Sequence, residues 1–218
     1  MKEIYSFLEQ VDANNNREWF DIHRDEYKSA QQKFLYITEL LINEIRSFDR
    51  EISYMDPKKC VFRIFRDVRF SNDKRPYKNN FGTYIARDGR KGGNPGYYLH
   101  LQPGASFLSG GIYMPDAAKL KAIRTEIYNH PHDFIELLEA DEFKSNFKLF
   151  SEDKLKTSPR DFPKDFEHID LLRYKSYAPT KPISDAQLLS PDFFEFVIES
   201  FRLLTPFNHY LNDVIGRV

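Results

Sequence analysis

Cationic side chains are concentrated in one stretch of the chain, and aromatic rings are interleaved with them. Residues 58–91 contain eleven Lys or Arg and three Asp, so this window carries a charge of +8 in a chain of net charge −1. Guanidinium groups bind phosphate or carboxylate through two parallel hydrogen bonds, and an ammonium adds a compact positive charge. We therefore predict an anion-binding site within this window. Its residues are Arg63, Arg66, Arg69, Lys74, Tyr77 and Lys78.

The spacing of these residues indicates how they could share a surface. In an extended backbone, Arg63, Asp67 and Arg69 lie on one face, because the side chains of a strand alternate. We expect Ser71-Asn72-Asp73 to form the turn that follows. A bulge at Asp67 would reverse the alternation. Asp67 could instead pair with Arg63 or Arg69, in which case the charges serve the fold.

A second group of residues could support this site. The supporting candidates are Asp67, Asp73, His100, Arg173 and Lys175. His100, on a predicted strand, could act as a general base, because the pKa of an imidazole lies near neutral pH. Arg173 and Lys175 would enlarge the cationic surface if their predicted strand lies beside the first one. The sequence selects no reaction class, so catalytic residues stay unassigned and an enzymatic role stays open.

Other motifs that carry chemistry are missing or incomplete. His130-Pro131-His132 offers two imidazoles without the HExxH spacing or a third ligand, so we predict no metal site. The chain has neither a Walker A motif nor a GxGxxG sequence after a strand, and we predict no cofactor. Cys60 is the only cysteine and cannot form an internal disulfide. Because no segment approaches the ~20 apolar residues of a membrane helix and no signal-peptide core is present, we expect a cytoplasmic protein with no membrane partner.

Apolar periodicity predicts the elements that position these residues. A short helix at 4–9 precedes a long one that starts near Asn15 and extends to Phe48, with a break along its length. Strands are predicted at 61–65, 80–87, 97–102, 106–113 and 171–177. Helices are predicted at 117–129 and 131–140, and a last helix opens at Pro191 and is ended or kinked at Pro206.

The order of these elements predicts the fold class. The middle strands follow one another without intervening helices, so they should form a mainly antiparallel sheet. We therefore predict an α+β fold in which this sheet is packed by the long N-terminal helix and several C-terminal helices. With 218 residues, the chain is expected to form a single domain over residues 1–218.

Four sequence patterns extend over almost the whole chain. They are Arg63 to Lys78, Asn14-Asn15-Asn16-Arg17-Glu18-Trp19-Phe20, the run from Tyr97 to Leu101 continued by Ser109 to Pro115, and Leu172-Arg173-Tyr174-Lys175-Ser176. Together, and in this order, they resemble the signature of a largely microbial family, domain of unknown function 2461. The resemblance implies a single-domain, cytosolic protein. It implies no activity and no catalytic residues.

Three functions are compatible with these patterns. The favoured one is a domain that binds a phosphorylated or carboxylated small molecule. The second is nucleic-acid binding, since basic and aromatic residues suit backbone contact and base stacking, although a pI near 6.6 argues against it. The third is a structural or partner-binding module in which the cationic cluster pairs internally or with an acidic protein surface. No oligomeric state is predicted.

Overall fold

Helices from both ends of the chain pack on an antiparallel β-sheet in the computed structural model, which describes residues 1–69 and 72–217. The helices are α1 (Lys2–Ala13), α2 (Arg17–Ile22), α3 (Arg24–Phe48), α4 (Ala117–Asn129), α5 (Pro131–Glu139), α6 (Asp141–Asn146), α7 (Ile169–Leu172), α8 (Asp185–Leu188) and α9 (Phe193–Ile215), with a 3-10 turn at Pro57–Lys59. The strands are β1 (Phe81–Ala86), β2 (Gly96–Leu101), β3 (Ser106–Ser109), β4 (Lys148–Leu149) and β5 (Pro179–Ile183). The predicted α+β class is confirmed. Ser71 of the predicted turn lies outside the described residues.

The sheet has the strand order β1-β2-β3-β5-β4, and every neighbouring pair of strands is antiparallel. Along β2, Tyr97 is buried, and its ring packs against Phe48 of α3 and Phe201 of α9. The neighbouring residue Tyr98 lies on the opposite face, because side chains alternate along a strand. We call this opposite face, which carries Tyr98 and His100, the outer face of the sheet.

Aromatic side chains supply much of the core between the helices and the sheet. Phe81 of β1 packs on Phe7 of α1 and Phe34 of α3, with ring centroids 6.2 and 5.3 Å apart. Phe20 of α2 stacks on Tyr77, with a centroid separation of 3.8 Å and an angle of 10° between the ring planes. Such rings bury a large apolar area each. The N-terminal helices therefore fix the position of the segment that contains Tyr77.

The predicted long N-terminal helix is divided into α2 and α3 at His23. Asn16, and not Asn15, caps α2, because its side chain accepts a hydrogen bond from the Trp19 amide at 2.9 Å. Asn15 instead exchanges two hydrogen bonds with the backbone of Tyr77, at 3.0 and 3.1 Å. The His23 ring stacks on Trp19 and bonds its carbonyl at 2.8 Å, which closes the end of α2.

The segment predicted as a strand at 61–65 forms only isolated bridges, at Val61 and Phe65. Its backbone divides its hydrogen bonds between two partners. The Phe62 amide donates to the Gly82 carbonyl on β1 at 2.9 Å, whereas the Ile64 carbonyl accepts from the Lys78 amide at 2.8 Å. Because neither partner continues far enough, no regular ladder forms.

One prediction for the C-terminal half is wrong, and of the two alternatives at Pro206 the ending of the helix is excluded. The predicted strand at 171–177 is absent from the described residues: α7 occupies its first positions, and only Tyr177 forms a bridge, to Ile112. Pro206 lies inside α9, which continues to Ile215. The carbonyl of Arg202 loses its helical partner because Pro206 has no amide hydrogen, and both residues are exposed. Within the two described ranges, no helix is both long and apolar enough to cross a membrane.

Candidate anion-binding site

A hairpin-like pairing of two short segments positions the cationic residues beside the sheet. The Arg66 amide donates to the Pro76 carbonyl at 2.9 Å, and the Lys78 amide donates to Ile64. Tyr77 is buried against Phe20, and Lys78 follows it in the chain. Since side chains alternate along extended backbone, Lys78 points away from this part of the core, toward Phe62.

The centre of the candidate site consists of Phe62, Lys78 and Arg90, which we call the Phe62 cluster. The Lys78 ammonium lies 5.6 Å from the centroid of the Phe62 ring, and the Arg90 guanidinium carbon lies 5.5 Å from it. All three side chains are partly buried. Among the described residues, neither cation forms an ion pair, and the Nε of Arg90 is buried without a hydrogen-bond partner. An aromatic face offsets part of the cost of holding a cation away from water.

The charges around Lys78 repel one another. Burial lowers the pKa of the Lys78 ammonium, and the positive charges of Arg63, Arg66 and Arg90 lower it further. Arg63 is exposed. The native structure therefore holds a surplus of positive charge around one partly buried ammonium, which an anion would relieve.

Two of the predicted site arginines are paired within the fold. Arg66 binds Asp73, and Arg69 binds Asp67 through two hydrogen bonds of 2.9 and 2.7 Å. Arg75 and Arg66 hold the pKa of Asp73 well below its ordinary value. Arg69 likewise lowers the pKa of Asp67. Arg66 and Arg69 thus follow the alternative in which charges pair within the chain.

The remaining predicted residues occupy different surroundings. Lys74 is exposed, and its ammonium donates to the Val68 carbonyl at 3.2 Å. Tyr77 is a core residue, so its ring cannot contact a ligand at the Phe62 cluster without leaving Phe20. Arg173 forms an ion pair with Asp170 at 3.6 Å. Lys175 is exposed, and the strand that would have carried it to the cationic stretch is replaced in part by α7.

His100 is held in a hydrogen-bond network on the outer face. Its Nδ1 lies 2.9 Å from the Tyr98 hydroxyl and 3.3 Å from the Asn80 amide nitrogen, and its Nε2 lies 2.9 Å from Gln102 Oε1. Burial lowers the pKa of His100, the Gln102 hydrogen bond opposes this shift, and the charge of Lys78 adds to it. Both ring nitrogens are therefore engaged by neighbouring side chains, and the role of His100 as a general base stays a prediction.

Several residues of the site were not predicted. Arg90 lies within the +8 window, but it follows a turn after β1 and so escaped the strand-based argument. Phe62 is an apolar residue outside the predicted cationic set, and it packs beside Lys78. Tyr98 also belongs here, because its ring meets Phe62 edge-on, with centroids 6.1 Å apart. Gly82 makes room for Tyr98, since a Cβ at Gly82 would lie 2.7 Å from the Tyr98 hydroxyl.

Comparison with known proteins identifies the family. The chain belongs to the family described as Conserved hypothetical protein (DUF2461), whose model matches residues 3–210. The resemblance inferred from the four sequence patterns is thereby confirmed. No curated protein and no solved structure shows significant similarity to the chain.

Proposed function

We propose that this protein binds a phosphorylated or carboxylated small molecule at the Phe62 cluster. The observation that carries the proposal is the pairing of two partly buried cations, Lys78 and Arg90, on one aromatic ring without a carboxylate partner among the described residues. Buried charges are costly to keep unpaired. Two such unpaired cations held side by side are more typical of a ligand-binding site than of a contact that stabilises the fold.

The electrostatic surroundings support the same conclusion. Arg63 and Arg66 add to the positive potential at Lys78. The carboxylate of Asp73 is shared by Arg66 and Arg75, and that of Asp67 is bound by Arg69. The Arg90 guanidinium can donate two parallel hydrogen bonds to an anion, and the Lys78 ammonium adds a compact positive charge. Together these groups suit phosphate or carboxylate oxygens. The internal pairing of Arg66 and Arg69 narrows the proposed site to Lys78 and Arg90, with Arg63 at its exposed edge.

The experiment is a thermal-shift and calorimetric comparison of wild type with Lys78→Met and Arg90→Met. Inorganic phosphate, a nucleoside monophosphate, a dicarboxylate and a single-stranded oligonucleotide are each added at low and moderate salt. A ligand at 100 times its Kd stabilises the native state by about 2.7 kcal/mol. We expect a phosphate or carboxylate compound to stabilise wild type and to lose this effect in both variants. Without ligand, Lys78→Met should melt at a higher temperature than wild type, because an unpaired cation is removed.

Lys164→Met is the matched control, because Lys164 is an exposed lysine far from the cluster in sequence. It should bind anions as wild type does. Stabilisation that persists in Lys78→Met and Arg90→Met, or no stabilisation by any small anion, would overturn the proposal. Stabilisation by the oligonucleotide alone, falling steeply with salt, would favour the nucleic-acid alternative. The cytoplasmic location expected from the sequence also stays a proposal, which cell fractionation tests.

A further inference from the structure

A second polar cluster lies on the inner side of the sheet, where the C-terminus of α3 meets α9. Asp49, Glu51 and His209 each offer a ligand atom there, and these atoms lie within 4.8 Å of one another. Asp49 is buried, Glu51 is partly buried and the His209 side chain is 41% exposed, so the cluster reaches solvent on the histidine side. The sequence could not indicate this group, because His209 follows Asp49 by 160 residues.

Other side chains hold each carboxylate in place. The Tyr97 hydroxyl donates to Asp49 Oδ2 at 2.7 Å, and Asp49 Oδ1 faces His209 Nε2 at 2.9 Å. The Asn212 amide donates to Glu51 Oε2 at 2.6 Å, and an Arg87 nitrogen lies 3.1 Å from Glu51 Oε1. Hydrogen bonds of this kind, from a surrounding layer to the ligating carboxylates, orient the ligands of metal sites.

A buried amide beside this cluster has unused hydrogen-bonding capacity. Asn208 is 1% exposed, and its Oδ1 accepts from the Gly111 amide at 2.7 Å. Its Nδ2 has no hydrogen-bond partner in the described part of the chain. Asn208 directly precedes His209 in α9. The part of α9 that carries His209 thus also holds a buried polar group whose hydrogen-bonding capacity is not used.

We propose that Asp49, Glu51 and His209 bind one divalent first-row transition-metal ion, for which Zn²⁺ is the probe. Two carboxylates and one imidazole provide the oxygen and nitrogen donors that such ions accept, whereas Mg²⁺ prefers oxygen alone. Asp49 and Glu51 carry two negative charges, and Arg87 carries one positive charge. The cluster therefore presents a net charge of −1 to a bound cation. Ligand atoms lie about 2.0–2.2 Å from zinc in a tetrahedral arrangement, so the 2.9 Å hydrogen bond between His209 and Asp49 must open to admit the ion. The partial exposure of Glu51 and His209 leaves them room to move.

The test is calorimetric titration of the chelator-treated protein with Zn²⁺, with Co²⁺ absorption as a second readout of nitrogen ligation. Wild type should bind one ion per chain, and excess Mg²⁺ should not compete. His209→Ala should abolish this binding and the Co²⁺ spectrum. Tyr97→Phe, in which Asp49 loses the hydroxyl that orients it, should weaken affinity by about 10- to 100-fold. Circular dichroism confirms that each variant is folded, and His209→Gln replaces His209→Ala if the latter is not.

The control variant is His132→Ala. His132 is exposed, and its ring centroid lies 6.3 Å from that of His168, so this pair is the competing place for an adventitious zinc ion. Binding that survives in His132→Ala and is lost in His209→Ala supports the proposal. Binding lost in His132→Ala and kept in His209→Ala, a titration that does not saturate, or equal binding of Mg²⁺ overturns it. None of these outcomes depends on the Phe62 cluster, so the two proposals fail or stand separately.

Discussion

The tautomer of His100 follows from its neighbours. The Asn80 amide nitrogen can only donate, so Nδ1 must accept, and the ring proton lies on Nε2, where it bonds to Gln102 Oε1. A second proton on Nδ1 would break the contact with Asn80 and add a charge near Lys78. At the residue scale, the outer face is therefore built around a neutral imidazole. His100 lies beside the Phe62 cluster and is not a member of it.

We expect His100 to stay neutral at a pH at which exposed histidines have become protonated. An unfolded histidine has a pKa of about 6.5, and the pKa of His100 is lowered in the native state. The unfolded chain thus binds the proton first, so stability is full above the unfolded value and falls as the pH drops through the window down to the folded value. NMR titration of the His100 imidazole measures this, with the urea-unfolded chain as the comparison. A His100 that titrates in the native state as it does in the unfolded chain would contradict the expectation.

At the scale of elements, the connector between α1 and α2 fixes the cationic stretch. Asn15 uses both ends of its amide on Tyr77, as donor to the carbonyl and acceptor from the amide. The side chain of Asn14, its neighbour, donates to the Gln10 carbonyl on the exposed side of α1. The N-terminal helices therefore act on the position of Lys78 through the backbone of the residue before it.

Replacing Asn15 by Ala should lower the free energy of unfolding by about 1–3 kcal/mol, because two buried backbone groups of Tyr77 lose their partners. Asn14→Ala is the matched control and should change it by no more than about 0.5 kcal/mol. Urea unfolding followed by circular dichroism measures both values. Equal effects of the two substitutions would show that the connector does not hold Tyr77.

Periodicity predicted the elements well where the pattern and the partner are local. The helix near Pro131 and the strands β1 and β2 were placed to within a few residues, because helical spacing and alternation are properties of the chain itself. The division at His23 was not located, because neither Gly nor Pro marks it and the contact of His23 with Trp19 has no periodic signature. The predicted strand at 61–65 failed because its partners lie in two different segments.

The same distinction between local patterns and long-range contacts explains which residues of the candidate site were predicted. The charged window is visible in the sequence, and it contains both Lys78 and Arg90. Which of its cations lack carboxylate partners depends on the folded positions of Asp67 and Asp73 relative to the arginines. Composition alone therefore could not separate Lys78 from Arg69.

At the scale of the whole molecule, Gly111 joins the sheet to the last helix. Its carbonyl accepts from the Gly96 amide and the Tyr84 hydroxyl, at 3.0 and 2.9 Å, and its amide donates to Asn208 of α9. Its φ of +71° lies in the left-handed region, and a Cβ there would lie 2.0 Å from the Tyr177 carbonyl oxygen. Only glycine fits both the backbone angle and the space.

Gly111→Ala should lower the free energy of unfolding by about 1–2 kcal/mol for the backbone angle and by about 1–3 kcal/mol more for the clash. Gly104→Ala isolates the first contribution, because Gly104 has a φ of +73° but nothing within 4 Å of an added Cβ. Denaturant unfolding of the two variants gives the comparison. If both lose the same stability, the close approach at Tyr177 does not constrain the fold.

The position of β5 between β3 and β4 has a consequence for the chain during its synthesis. β1, β2 and β3 leave the ribosome in succession and can pair at once, but Pro179, which bonds to Ser109, follows it by 70 residues. Until then the free side of β3 is an open edge, to which the strands of other nascent chains can add. We therefore expect the translation of α4 to α7 to be an interval of exposure to aggregation, and the pairing of β5 with β3 to close it.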